Sequence, residues 1–289
     1  MANNSFHVLR SRYSSSLKEF IASPRTFEIL DRVPADPTSV PLSTHNARSL
    51  FVLDSSFNPP SAAHLDIASS ALEESPRSSR LLLLLATQNA DKPAKPASFE
   101  DRLLMMSLFA QELRIHLQSS LPSLPSADIP HIDIGVTKKP YFVDKAAAIE
   151  LSEEYPKGLE QIHLTGYDTL IRIFNPKYYP PAHTLQPLEP FLSRHRLRVT
   201  TRPDDEWGDR KEQEDYLRNL AQGGREQEGG KREWAERIEL VQGHKVDKTP
   251  VSSTRARTAA QSKDDKLLHS LVPAAVGSYI ISQDLYHES

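Results

Sequence analysis

Apolar residues fall into two rhythms along this chain, and each rhythm names an element. Short runs rich in bulky apolar residues, Leu50 to Leu53, Leu81 to Leu85, Ile132 to Val136, Gln161 to Gly166, Leu197 to Thr201 and Ile238 to Val241, read as strands of a covered sheet. Between them the spacing turns helical. Leu65, Ala68 and Leu72 share one helix face, and Leu103, Met106, Ala110, Leu113 and Leu117 share another, behind the capping box Ser98-Phe99-Glu100-Asp101. A further helix runs from Val143 toward Glu154, and polar or proline-marked turns at Glu73 to Ser79, Pro93 to Pro96 and Leu121 to Pro130 separate the elements. Strands that alternate with helices need crossover connections. The pattern therefore predicts an α/β fold, a doubly wound Rossmann-like parallel sheet with helices on both faces.

The ends of this pattern set the expected division. Arg32 to Asn46 holds Pro34, Pro37 and Pro41 among small polar residues and reads as a connector, with Ser14 to Ile21 as a surface helix ahead of it. Residues 1–48 are then an N-terminal helix and connector, and 49–289 the domain. Within it, Asp204 to Glu236 is dense in both charge signs and contains Gly223-Gly224 and Gly229-Gly230, so it reads as a solvated helical insertion with flexible breaks.

Composition narrows the possibilities. The 289 residues suffice for one large α/β domain, and a net charge of −3 exerts no pull toward nucleic acid or an anionic membrane, so neither is expected as a partner. With no cysteine, disulfides, a thiolate nucleophile and Cys-ligated zinc are excluded. The longest apolar run, Leu81 to Ala86, is far below the about 18 residues of a membrane span, so a soluble protein is expected. Met1 to Lys18 carries Arg10, Arg12 and Lys18 without an acid and resembles a mitochondrial presequence; a helix leading into the domain is the preferred reading, with a cytoplasmic or nuclear location. The 11 histidines form no His-x-x-x-His pair beside an acid, so no metal-ligating side chains are expected.

Three stretches carry candidate chemistry. In the first, Phe51 to His64, the strand is ended by Asn58-Pro59-Pro60 and a helix opens at Ser61. Unpaired N–H groups and the positive end of the helix dipole then face the mouth of the turn, where an anion fits. His64, three residues after Ser61, shares its side of the helix start. In the second, Val251-Ser252-Ser253-Thr254-Arg255-Ala256-Arg257, hydroxyls precede a helix whose arginine can clamp phosphate with two donors. In the third, Gly166 at a strand end allows close approach of a ligand, and Asp168 can accept from ribose hydroxyls or cap the following helix.

Here the residues point to a family. The first stretch resembles the Gly-x-Phe-x-Pro and His/Thr-x-x-His signature of the nucleotidylyltransferase superfamily, and Ser56-Phe57-Asn58-Pro59 matches the form seen in nicotinamide mononucleotide adenylyltransferases. Ser55 stands at the glycine position and Ser61 at the first His/Thr position. The second stretch resembles that superfamily's Ile-Ser-Ser-Thr-x-x-Arg signature. The third, Thr165 to Phe174 with Lys177-Tyr178-Tyr179, resembles the eukaryotic enzymes. Shorter likenesses lie at Asn89-Ala90-Asp91-Lys92, at Tyr141 to Asp144, at Arg202 and at Leu271 to Ile280; a fungal promoter-of-filamentation branch is the nearest fit.

The resemblance implies transfer of the adenylyl group of ATP to nicotinamide mononucleotide, with Mg²⁺ arriving on ATP. It implies catalytic roles for His64 and Arg257, and nucleotide binding by Ser55, Ser56, Phe57, Ser61, Lys92, Gly166, Asp168, Arg202, Ser253 and Thr254. By the same match Ser253, Thr254 and Arg257 would hold the β- and γ-phosphates. Two alternatives stay open: a relative that uses another acceptor or hydrolyses ATP, and a nucleotide-binding regulatory module in which Ser55 and Ser61 have weakened transfer. A class I aminoacyl-tRNA synthetase shares a similar histidine motif but would need a lysine-serine signature that is absent.

Overall fold

Alternate residues of the central strands enter cores on opposite faces of one sheet. In β3 (Ser79–Ala86), Leu81, Leu83 and Leu85 join one core, and Leu82 and Leu84 the other; in β2 (Ser49–Asp54), Phe51 and Leu53 oppose Leu50 and Val52. This two-sided burial is why those strands read as continuous apolar runs. The structure is a computed structural model that describes residues 2–35, 48–88, 97–201, 207–243 and 251–287.

Seven strands form the sheet in the order β1-β4-β3-β2-β5-β6-β7, where β1 is Phe27–Val33, β4 Ile132–Thr137, β5 Glu160–Gly166, β6 Arg196–Thr201 and β7 Ile238–Gln242. All neighbours are parallel except β1, which runs antiparallel to β4 at the edge. The fold is thus Rossmann-like α/β, with one antiparallel strand added to the expected parallel set. That strand corrects the reading of Arg32 to Asn46 as connector from its first residue. Phe27 and Ile29 enter one core and, past a bulge between Ile29 and Asp31, Val33 enters the other, so Arg32 and Val33 belong to β1, while 36–47 lie outside the described residues.

Helices cover both faces. One is covered by α1 (Ala2–Ala22), α2 (Ala62–Glu74), α3 (Phe99–Ser120), α8 (Ser253–Gln261), α9 (Asp265–Leu271) and α10 (Ala274–Ser282). The other is covered by α4 (Phe142–Leu151), α5 (Tyr167–Ile173), α6 (Glu189–Leu192) and α7 (Arg210–Ala221). The leading helix is longer than the expected Ser14 to Ile21 and is not a bare surface helix. Tyr13, Leu17 and Phe20 are buried in the main core, because its apolar residues recur at helical spacing against α3.

Within the charged stretch, the described residues 207–236 are folded rather than broken. A capping box at Asp209 and Glu212 starts α7, and Leu220 and Trp234 enter the second core. The charges lie on the outer face, which is why composition alone suggested a solvated segment.

The order of strands sets the site. From β2 the chain winds outward through β3 to β4, then α4 carries it back to β5 on the other side of β2. The β2–β5 ladder ends at Val52 opposite His163, although β2 continues to Asp54 and β5 to Gly166. The two strands part toward their carboxyl ends. A crevice opens at the point where the winding reverses, the place where such sheets hold ligands.

Candidate active site

The turn after β2 is held by its carbonyls. Arg102 Nε of α3 donates to the Ser56 carbonyl at 2.7 Å, Arg257 Nη1 of α8 donates to the Asn58 carbonyl at 2.7 Å, and Ser253 Oγ donates to the Pro59 carbonyl at 2.8 Å. The Ala97 N–H donates to Asn58 Oδ1 at 3.1 Å. Phe57, fully buried, takes a left-handed backbone with φ 46°, an uncommon conformation for an aromatic residue. With its carbonyls drawn to α3 and α8, the turn has no described acceptor for the N–H groups of Ser56, Phe57 and Asn58.

At the start of α2 the serines and the histidine form one chain of hydrogen bonds. The Ser61 N–H donates to His64 Nδ1 at 3.0 Å, with Ser61 Oγ 2.9 Å from the same nitrogen, and His64 Nε2 lies 2.9 Å from Ser55 Oγ. Phe57 packs beside the imidazole, with ring centroids 5.5 Å apart. Burial lowers the His64 pKa from 6.5 to about 4, so the ring is neutral at physiological pH.

Gly166 and Asp168 lie across the crevice. A Cβ on Gly166 would sit 2.6 Å from Asp168 Oδ1, so glycine leaves room for that carboxylate to fold back over the strand end. Asp168 is not the helix cap, a place taken by Gly166, and among the described residues its side chain has one hydrogen bond, a long one of 3.4 Å from Thr169 Oγ1. The carboxylate thus remains available to a ligand's hydroxyls. On α8, Ser252 caps the helix through the Arg255 N–H at 3.2 Å, and Arg257 Nη2 donates to Thr254 Oγ1 at 3.1 Å. The structure thus brings Ser55, Ser56, Phe57, Ser61, His64, Ser253, Thr254 and Arg257 together around the β2 turn. Lys92 and Arg202 lie outside the described residues.

The chain is similar to several known proteins over most of its length. A cytidylyltransferase-like family profile matches residues 52–121, from β2 through α3. A Schizosaccharomyces pombe protein named "Putative nicotinamide mononucleotide adenylyltransferase" is 32% identical over 272 residues, which span 92% of this chain and 93% of that protein. The chain is a nucleotidyltransferase of the nicotinamide mononucleotide adenylyltransferase family. Its fold is also that of the Plasmodium falciparum nicotinic acid mononucleotide adenylyltransferase. In its complexes with NaAD and with APC, that enzyme is 13% identical, with TM-scores of 0.52 and 0.50 over 83% of this chain and 97% of the other.

This nucleotidyltransferase also places residues at the crevice that pattern reading passed over. Lys145 Nζ in the first turn of α4 pairs with Asp54 Oδ2 at 2.7 Å, directly before the turn. Arg102, 1% exposed, has no carboxylate partner among the described residues; burial lowers its pKa to about 10, Tyr286 beside it acting the other way. Its Nη2 and the Tyr286 hydroxyl are both buried without a hydrogen-bond partner. Neither pair leaves a local sequence signal, since the partners stand far apart in the chain. By contrast, Phe174 and Tyr179 of the third stretch are core residues, Tyr179 donating to the Ile173 carbonyl at 2.6 Å.

Proposed function

We propose that this nucleotidyltransferase joins ATP, taken as its Mg²⁺ complex, to nicotinamide mononucleotide. An oxygen of the acceptor's 5′-phosphate attacks the α-phosphorus in line, the bond from that phosphorus to the β-phosphate oxygen breaks, and NAD and pyrophosphate result. The acceptor phosphate is already nucleophilic, so the protein needs no covalent intermediate. Positioning and charge stabilisation carry the rate.

The observation that supports this reading is the β2 turn, whose N–H groups at Ser56, Phe57 and Asn58 lack acceptors at the parting ends of β2 and β5. Such a row of donors beside the start of α2 suits phosphate oxygens. In this reading Ser55, Ser61 and the neutral His64 serve the α-phosphate, while Ser253, Thr254 and Arg257 hold the departing pyrophosphate. Asp168 accepts from ribose hydroxyls beside Gly166; by the family resemblance alone, Lys92 takes a share of the phosphate charge and Arg202 serves the adenine. Among the described residues no group of three His, Cys, Asp or Glu side chains could hold a metal ion. No described helix is long and apolar enough to cross a membrane.

The test is pyrophosphate release by the purified protein with ATP and Mg²⁺, with nicotinamide mononucleotide, with nicotinate mononucleotide and with neither. Release that requires the amide-bearing acceptor, and that His64→Ala reduces at least about tenfold, is expected. Release without any acceptor would make the protein an ATP hydrolase. A second reading rests on the Ser55 Oγ to His64 Nε2 contact of 2.9 Å, which occupies the imidazole donor. A nucleotide-binding regulatory module with transfer weakened at Ser55 would bind ATP and release no pyrophosphate with any acceptor.

A further inference from the structure

The hydrogen bonds around His64 assign its proton. A backbone N–H can only donate, so the Ser61 N–H at 3.0 Å makes Nδ1 an acceptor and leaves the single ring proton on Nε2. Nε2–H then donates to Ser55 Oγ at 2.9 Å. His64 therefore spends its one donor on a protein hydroxyl. The Ser55 hydroxyl proton, in turn, has no described acceptor, although Ser55 is only partly buried and its own N–H is tied back to the Leu84 carbonyl at 3.2 Å. A hydroxyl that accepts from one donor becomes a better donor itself, because the bonds polarise one another. It stands at the head of the same turn whose N–H groups lack acceptors.

We propose that Ser55 is the side chain that touches the nucleotide phosphate, and that His64 is a positioning residue acting through it, in a relay from the Ser61 N–H through the imidazole to the Ser55 hydroxyl and on to a phosphate oxygen. The proposal rests on the transferase reading for its rate effect, but its hydrogen-bond order does not. The lowered pKa of His64 fits a ring that works as a fixed neutral donor and never as a base toward Ser55. Proton transfer is no part of the relay. Each group keeps its own proton, and the chain only orients and polarises the last donor.

The test pairs kinetics with nitrogen NMR on the full chain. Ser55→Ala is expected to lower kcat about ten- to hundredfold with little change in KM, since a donor to a charged group is lost. Ser55→Thr, which keeps the hydroxyl, recovers most of that rate. The Ser55→Ala/His64→Ala double variant is expected to be no slower than the worse single variant, as for residues that act as one unit. If Ser55→Ala turns over like wild type while His64→Ala does not, His64 meets the phosphate directly and the relay is wrong.

The histidine ¹⁵N spectrum reads the relay without turnover. Wild type should show the Nε2–H tautomer at His64, Ser55→Ala should move the Nε2 signal, and Mg²⁺–ATP should leave that signal nearly in place in wild type. A large Nε2 shift on adding Mg²⁺–ATP to wild type would overturn the proposal. Should wild type release no pyrophosphate with any acceptor, the transferase reading falls, and these spectra still decide the relay.

Discussion

Arg257 Nη1 and the carbonyl of Asn58, 199 positions apart in the chain, are joined at 2.7 Å. This bond gives Arg257 two tasks, to hold the turn's backbone and to present its remaining donors at the crevice. Arg257→Ala is therefore expected to lower kcat about 10²- to 10³-fold, as loss of one charge-stabilising donor does elsewhere. Arg257→Lys, without the fork that reaches both Asn58 and Thr254, should recover little of it. Steady-state pyrophosphate release checks the rate, and a circular dichroism melt shows the fold retained with a midpoint lower by about 2–4 °C.

Asp168 tests the proposed ribose contact. Because a ribose contact holds ground state and transition state alike, Asp168→Asn should raise KM for one of the two nucleotides about tenfold and leave kcat nearly unchanged. An equal fall in kcat and kcat/KM would instead put the carboxylate near the reacting phosphates.

His64 gives a titration with a definite sign. Its folded pKa of about 4 lies below the ordinary 6.5, so the unfolded chain takes up the proton first as pH falls. The contribution of neutral His64 to stability is fully present above pH 6.5 and is lost as pH drops from there toward 4. The His64 C2–H resonance followed from pH 3 to 8 should move with a midpoint near 4. A midpoint above 6 would mean that the ring is solvated.

Asp101 is a second acid-sensitive group. Burial pushes its carboxyl up, yet hydrogen bonds from Arg10, Ser98 and Tyr279 outweigh that and hold the pKa below the ordinary value. Tyr279 Oη donates to Oδ1 at 2.8 Å in the core, whereas Arg10 is half exposed and its share is screened by solvent. A depressed carboxyl stabilises the fold above its unfolded pKa and ceases to do so as pH falls through the folded one. Asp101→Asn should thus show a smaller loss of urea resistance between pH 5 and about 2 than wild type.

Arg80 on β3 and Asp133 on β4 form a buried ion pair, and Tyr155 Oη donates to the same carboxylate at 2.8 Å. Arg80→Met removes the nearer and more buried of the carboxylate's two arginine partners, leaving Arg32 Nε at 3.6 Å, and should cost up to about 3 kcal/mol in denaturant unfolding. The Arg80→Met/Asp133→Leu pair should recover most of the loss, since it removes both charges together.

Periodicity made the six parallel strands and most helices legible, because two-sided burial and amphipathic spacing are local properties. The edge strand β1 was not legible. Its run Phe27 to Val33 carries Glu28, Asp31 and Arg32 among its apolar residues, a bulge between Ile29 and Asp31 breaks the alternation, and a proline follows that reads as the start of a connector. The folded state of 207–236 was hidden because Trp234 and Leu220 are a small apolar minority among charges. At the crevice, the motif stretches supplied the residues of the turn, of α2 and of α8 in advance. Asp54 with Lys145, and Ser56 with Arg102, were not readable, since each pair is made only when the sheet closes.

Asp101 also ties opposite ends of the sequence to one helix. Arg10 of α1 and Tyr279 of α10 both donate to Asp101 Oδ1, and the Phe6 ring stands edge-on to Tyr279 at 5.1 Å. A chain synthesised only as far as residue 273 lacks α10 and with it the Tyr279 donor of this clasp. The Tyr279 bond to Asp101 joins residues 178 positions apart, so this part of the main core closes only once α10 has been made and has docked on α3.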